Sequence, residues 1–291
     1  ALIADLAARH PERAELQLAA GLAALNAGDS TTAVAIARSL ARLTPPPAGL
    51  ATYEALIAAG TGDTATATVL LNRRLAEAPD DLAARVASAY VAARSGDVAA
   101  LRRAVEQMRS RNLPIPWLDT MLAQVLAAGG RTVEARERAE EVVARHPSFS
   151  PAWDLLLALD VAERRPDRAR EHAARLLRLQ PTHPRANHVW ASLLMAEGRW
   201  TDAEAALETA RRVAPDDAGI LNDLAWCHLQ LGRADSALEL ATRAVEREPD
   251  APDVLDTLAR TLLAVGQTNR AVEIVQRALA RDVADRFQIA A

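Results

Sequence analysis

Asp154, His188 and Ser192 are the residue types of a nucleophilic triad. His188 and Ser192 stand four apart, one turn of a helix, so an imidazole there could reach the hydroxyl, and Asp154 precedes the histidine by thirty-four residues. Such chemistry also needs oxyanion donors, a nucleophile on a strained turn and a pocket that excludes water. The sequence offers no stretch of that kind, so no catalytic residue is expected and the chain reads as a non-enzyme. His183, His188, Cys227 and His228 are the clustered soft ligands. Structural zinc needs four convergent ligands, whereas helical spacing turns His228 toward a packed interior and His188 outward. No GxxxxGK, GxGxxG or HExxH occurs, and Gly129 and Gly130 fall in a turn, so neither metal nor cofactor is expected.

The elements that carry these side chains repeat. Residues 218–251 place Leu221, Leu224, Ala225 and His228 on one helical face, reverse at Gly232, place Ala237, Ala241 and Ala244 on a second face and close at Pro249. The same marks recur every thirty-four residues without insertion or deletion. Pro11, Pro45, Pro79, Leu113 with Pro114, Pro147, Pro181, Pro215 and Pro249 share one phase. Gly28, Gly62, Gly96, Gly130, Gly198, Gly232 and Gly266 share another, in which Arg164 is the exception. Ala33, Ala67, Leu101, Ala135, Ala169, Ala203, Ala237 and Ala271 share a third. Each phase answers a separate steric demand: positive φ at a reversal, close approach of two helices, and a residue that cannot continue a helix.

Three demands in register over a thirty-four-residue period resemble the tetratricopeptide repeat. The resemblance implies an all-α fold, a right-handed α-solenoid of helix-turn-helix units. In that frame 1–13 is the second helix of a preceding repeat, and eight units follow: 14–47, 48–81, 82–115, 116–149, 150–183, 184–217, 218–251 and 252–285. Residues 286–291 form a tail or the start of a further unit, with Phe287 and Ile289 as its apolar residues. Pro45 to Pro47 and Asn112 to Pro116 stiffen two inter-repeat loops. Arg164, followed by Pro166 at the opening of a helix, reads as a variant turn, at a cost on the order of 1 kcal/mol if it is left-handed.

Half of the residues are hydrophobic and 3% are aromatic, as expected of Ala- and Leu-rich helices. The thirty-four basic residues are all arginine, a coding bias such as a GC-rich genome produces. The net charge of −4 offers no basic stripe for nucleic acid. A single cysteine excludes an internal disulfide framework, and no apolar run spans a bilayer, so direct membrane insertion is not expected. From Asp216 to Asp256 ten acidic residues face three arginines, a local field that would steer a basic partner.

The resemblance further implies a concave groove lined by positions two, five, nine, twelve and thirteen of each first helix. The early units then present Leu18, Leu22, Thr52, Leu56, Val86, Tyr90, Trp117, Thr120 and Gln124, an apolar trough. The later units present Asp154, Arg185, His188, Ser192, Asn222, Trp226, Asp253, Asp256 and Arg260, a polar surface. Trp153, Trp190 and Trp200 fall on packing positions. Without lysine the carboxylate clamp of some relatives is not expected. Nor is an asparagine ladder, because position six reads Ala19, Tyr53, Ala87, Met121, Leu155, Val189, Asp223 and Thr257. Asp154, His188, Asn222 and Asp256 form one polar stripe that could bond a peptide backbone, or could simply be solvated.

The expected function is a non-catalytic protein–protein interaction module holding a peptide, helix or subunit in the groove. The alternatives are a scaffold or oligomerisation arm, self-associating through its repeat ends, and a docking arm for an enzyme elsewhere in a longer protein. LNDLAW and VLDTLA are similar to segments of long bacterial arrays, including those of secretion and exopolysaccharide export. That similarity leaves cytoplasm and periplasm open.

Overall fold

The computed structural model describes residues 2–111, 113 and 115–289, with side chains omitted at 2, 4 and 280–289. Asn112, Pro114 and the side chains of Phe287 and Ile289 therefore lie outside the described residues. Seventeen helices and no strand occur among them, and the chain divides into two compact units, 1–145 and 146–291.

Unit 1 holds α1 (Leu2–Arg9), α2 (Ala14–Asn26), α3 (Ser30–Leu40), α4 (Leu50–Gly60), α5 (Thr64–Glu77), α6 (Leu82–Arg94), α7 (Val98–Ser110), α8 (Pro116–Ala128) and α9 (Thr132–Arg145). Unit 2 holds α10 (Ser150–Ala162), α11 (Pro166–Leu179), α12 (Pro184–Ala196), α13 (Trp200–Val213), α14 (Ala218–Gln230), α15 (Ala234–Arg247), α16 (Pro252–Ala264) and α17 (Thr268–Ile289). Within each unit every helix packs on its chain neighbour, and first helices also pack on first helices: α2 on α4, α4 on α6 and α6 on α8, then α10 on α12, α12 on α14 and α14 on α16.

The tight reversal inside each pair follows from one local device. Gly28 has φ 79°, and the next N–H, that of Asp29, reaches back to the Ala24 carbonyl at 2.9 Å. This back-bond satisfies a carbonyl the helix end would otherwise leave open. The Asp29 carboxylate then accepts from Thr32 N–H at 3.0 Å and starts α3. Asp63 and Asp97 repeat both bonds at the next two turns. Arg164 occupies the same left-handed position with φ 53°, and Arg165 N–H still reaches the Asp160 carbonyl at 2.9 Å.

Close helix approach rests on alanine. Ala33, Ala67, Ala135, Ala203 and Ala237 are fully buried, where a longer side chain would hold the helices apart. In unit 2 an arginine ties three of the four second helices, α11, α15 and α17, to the loop one repeat earlier. Arg175, Arg243 and Arg277 donate to the carbonyls of Pro147, Pro215 and Pro249 at 3.1, 3.2 and 2.8 Å, each twenty-eight residues away. The loop prolines thus serve twice, ending a helix and offering an acceptor to the next repeat.

Candidate functional site

In unit 1 the first helices α2, α4, α6 and α8 wall a cleft of about 730 Å³. Leu18, Leu22, Leu56, Val86, Tyr90 and Trp117 all line it. Leu22 and Trp117 are the more open of these, at 38% and 37% exposure, and the others are half-buried. Thr52 also lines it, 6% exposed, with a hydroxyl that has no hydrogen-bond partner.

Two expected groove residues of this unit lie elsewhere. Thr120 is buried at 2% exposure, its hydroxyl bonded back to the Pro116 carbonyl at 2.8 Å, so it cannot meet a partner. Gln124 is exposed but away from the cleft wall. Conversely, Leu25, Asn26, Gly49, Gly60, Ala83 and Arg94 line the cleft without having been singled out. They occupy positions two, twelve and thirteen of the repeat frame, so the signal that would have found them was the frame itself, applied to small and charged residues as well as to large ones.

Tyr53 closes the cleft floor. Its phenol is buried and donates to the Ala33 carbonyl at 2.8 Å, and burial pushes its pKa up to about 12. Arg94 lines the rim with its guanidinium 6.0 Å from the Tyr90 ring centroid. It is the one charged residue of the lining and makes no ion pair among the described residues.

In unit 2 the polar residues are engaged with one another. Asp154 forms an ion pair with Arg185 at 2.9 Å and lies 3.7 Å from His183. His188 Nε2 meets Asp223 at 2.9 Å, and Asn222 Nδ2 donates to the same carboxylate at 3.3 Å. Asn222 is 8% exposed, so it too is largely withdrawn from a partner. Asp256 pairs with Arg260 at 2.7 Å, and the Arg260 guanidinium covers the Trp226 ring at 5.6 Å. Most of the stripe's polar groups are therefore engaged within the fold, while Asp154 Oδ1 and Asn222 Oδ1 are buried without a hydrogen-bond partner. The triad geometry is not assembled: the Ser192 hydroxyl donates to the His188 carbonyl at 3.1 Å, while the imidazole and Asp154 have other partners.

The soft ligands are likewise dispersed. His183 Nδ1 accepts from Ala186 N–H at 3.4 Å and caps α12. Burial first, with Arg185 adding to it and Asp154 opposing, holds its pKa below the ordinary imidazole value. His228 lies 3.1 Å from Glu204. Cys227 is fully buried, and burial, reinforced by Asp223 and Glu204, pushes its thiol up to about 12. Trp153, Trp190 and Trp200 are partly buried against the helical core. No helix among the described residues is long and apolar enough to cross a membrane.

A stack of helix pairs with a turn glycine, a buried alanine and a loop proline in fixed register is a helical-repeat architecture. Residues 188–252 match one tetratricopeptide repeat family model and residues 228–291 match a second, so tetratricopeptide repeats are identified over 188–291. Similar solved structures include a tetratricopeptide repeat protein from Parabacteroides merdae, at 15% identity over 80% of this chain and 92% of that one, TM-score 0.53. Another is YrrB, described as a TPR protein with an unusual peptide-binding site, at 16% identity over 62% and 91%, TM-score 0.50. MamA from Desulfovibrio magneticus aligns at 17% identity over 58% and 96%, TM-score 0.48. No curated protein sequence matches the chain.

Proposed function

We propose that this protein is a non-catalytic interaction module whose unit 1 cleft receives apolar side chains of a partner protein. Tetratricopeptide repeats are in general protein–protein interaction modules, and the cleft carries the reading to particular residues. It offers about 730 Å³ of largely apolar space with Tyr90 and Trp117 on its wall. Aromatic side chains at the edge of such a cleft are the usual anchors of binding energy. The peptide-binding site of YrrB, a relative in fold, points the same way.

Binding of a source lysate to the purified chain, compared with Tyr90→Ala, Trp117→Ala and a Trp226→Ala control in unit 2, tests the assignment. A partner kept by wild type and Trp226→Ala but lost from the two cleft variants supports it. Equal capture by all four moves the function off the cleft. Loss from Trp226→Ala alone moves it to the polar surface of unit 2, where Asp154, Arg185, His188, Ser192, Asp256 and Arg260 would then be the contact residues.

A second reading, a scaffold arm that self-associates, draws on α17. Val272, Val275 and Leu279 follow helical spacing on one side of it and are 49%, 45% and 60% exposed. Sedimentation of wild type beside a Val275→Glu, Leu279→Glu variant separates the two readings. A concentration-dependent oligomer lost in that variant favours the scaffold.

A further inference from the structure

We propose that the cleft of unit 1 is built for an amphipathic α-helix bearing a carboxylate side chain, an inference that rests on the cleft being an interaction site. The argument concerns what each class of occupant must leave unsatisfied. An extended segment brings one N–H and one C=O for every ~3.3 Å of its length. Each such group buried without a partner costs roughly 1–3 kcal/mol. The cleft walls are mainly helix interior, whose own backbone groups are paired along the helix, and helix ends or turns enter the lining only at a few residues such as Gly28, Gly49 and Gly60. Its floor residue Tyr53 has its hydroxyl committed to Ala33. Position six, where a ladder of amides would serve an extended backbone, reads Ala19, Tyr53 and Ala87. Asn26 and Ser30 flank the turn between α2 and α3 at one edge, and Thr52 supplies a single free hydroxyl in α4. That is too few polar groups, and too unevenly spread, to serve a strand.

A helix pairs its backbone internally and presents side chains alone, at i, i+3 or i+4, and i+7. The apolar walls ask for nothing more. Charge narrows the class further. Arg94 is the one charged side chain of the lining and has no ion pair among the described residues, in a chain whose net charge is −4. It lies against Tyr90 at the rim, so an acidic residue on the same face as the occupant's apolar side chains would meet it as they enter.

Selection from a displayed library of random peptides, about sixteen residues and hence roughly four turns long, tests this on the whole chain. The baits are wild type, Arg94→Glu, and two cleft-altering variants, Leu56→Glu and Trp117→Ala, each first shown to be folded by its helical circular dichroism. Two are used so that one misfolded variant leaves the other as reference. The expected binders depend on the cleft, carry large apolar residues at i, i+3 or i+4, and i+7 with Asp or Glu beside them, and gain helicity on binding. They weaken about tenfold or more on Arg94→Glu and recover when the peptide's acid is replaced by arginine. Cleft-dependent binders with alternating apolar residues, or with proline through the bound segment, overturn the helix while leaving the cleft as an interaction site. Helical binders indifferent to Arg94→Glu overturn the carboxylate. Absence of any cleft-dependent binder overturns both the helix and the cleft.

Discussion

The end of the Tyr53 ring fills the space where Gly21 would carry a side chain. A β-carbon built on Gly21 overlaps the Tyr53 Oη and Cζ atoms and comes within 3.1 Å of Cε2. Gly21 is interior to α2, where glycine costs roughly 1 kcal/mol relative to alanine, so its presence there is explained by the approach of α4. With the bond from Tyr53 Oη to Ala33, the ring joins α2, α3 and α4 at one point.

Gly21→Ala should therefore destabilise unit 1 despite its better helix propensity. Overpacking of this kind costs about 1–3 kcal/mol, and the thermal and denaturant midpoints of the chain should fall accordingly. In a Tyr53→Leu background the same substitution should be neutral or stabilising, because the atoms it strikes are gone. A Gly21→Ala effect of equal size in both backgrounds would show that the contact does not matter. Tyr53→Phe, which removes the hydroxyl alone, should cost about 1 kcal/mol.

Arg164 does the work of a glycine without being one. Seven turn glycines have φ between 71° and 93°, and Arg164 stands at 53° in the same turn. A left-handed residue with a β-carbon costs about 1–2 kcal/mol, while glycine in its place gives up about 0.4–1 kcal/mol to the freer unfolded chain. Arg164→Gly should thus raise the stability of unit 2 by up to about 1 kcal/mol, and Gly232→Ala should lower it by a similar amount. Calorimetry of the two single variants reads both signs. A destabilising Arg164→Gly would show that the arginine side chain contributes something beyond its backbone.

These turns show why the fold was legible. Period and phase depend on steric demands that admit few residue types, and Gly28, Ala33 and Pro147 announce them directly. The apolar wall of the cleft was legible for the same reason, since Leu22, Leu56 and Tyr90 sit at one position of the frame. What escaped was pairwise. Nothing local marks Gly21 as the partner of Tyr53, thirty-two residues on. Thr120 shares its frame position with Leu18, Thr52 and Val86, yet its hydroxyl turns back to Pro116. The polar stripe of unit 2 looked available because each residue was judged alone. Asp154 and Asp256 are taken up by arginines, and His188 and Asn222 by the neighbouring Asp223.

His183 links the stability of unit 2 to pH. Its neutral Nδ1 accepts from the first turn of α12, and a positive charge at a helix N-terminus is unfavourable. The depressed pKa means that the folded protein takes up this proton less readily than the unfolded chain does. The contribution is therefore whole above the ordinary imidazole value of 6.5 and is lost as the pH falls below it toward the folded value. His183→Asn keeps a cap that does not titrate there. Relative to that variant, wild type should lose roughly 0.5–1 kcal/mol between about pH 8 and about pH 5. A stability difference that stays constant over this range would remove His183 as the titrating cap.

Cys227 offers a reporter on the opening of unit 2. The thiol is buried in α14 and raised from 9.0 to about 12, by burial first and then by the carboxylates of Asp223 and Glu204. Only the thiolate attacks a disulfide or alkylating reagent. At a given pH well below 9 its population in the folded state is lower by about three orders of magnitude, tenfold for each unit. Sterically the sulfur is also closed off, so modification has to proceed through opened molecules. Labelling by an alkylating reagent, followed by mass spectrometry, should then be slow and should track stability. Gly232→Ala should speed it and Arg164→Gly should slow it, in the same order as their unfolding free energies. Labelling at the rate of an exposed cysteine, indifferent to both substitutions, would mean that Cys227 is reached without any opening of the helix stack.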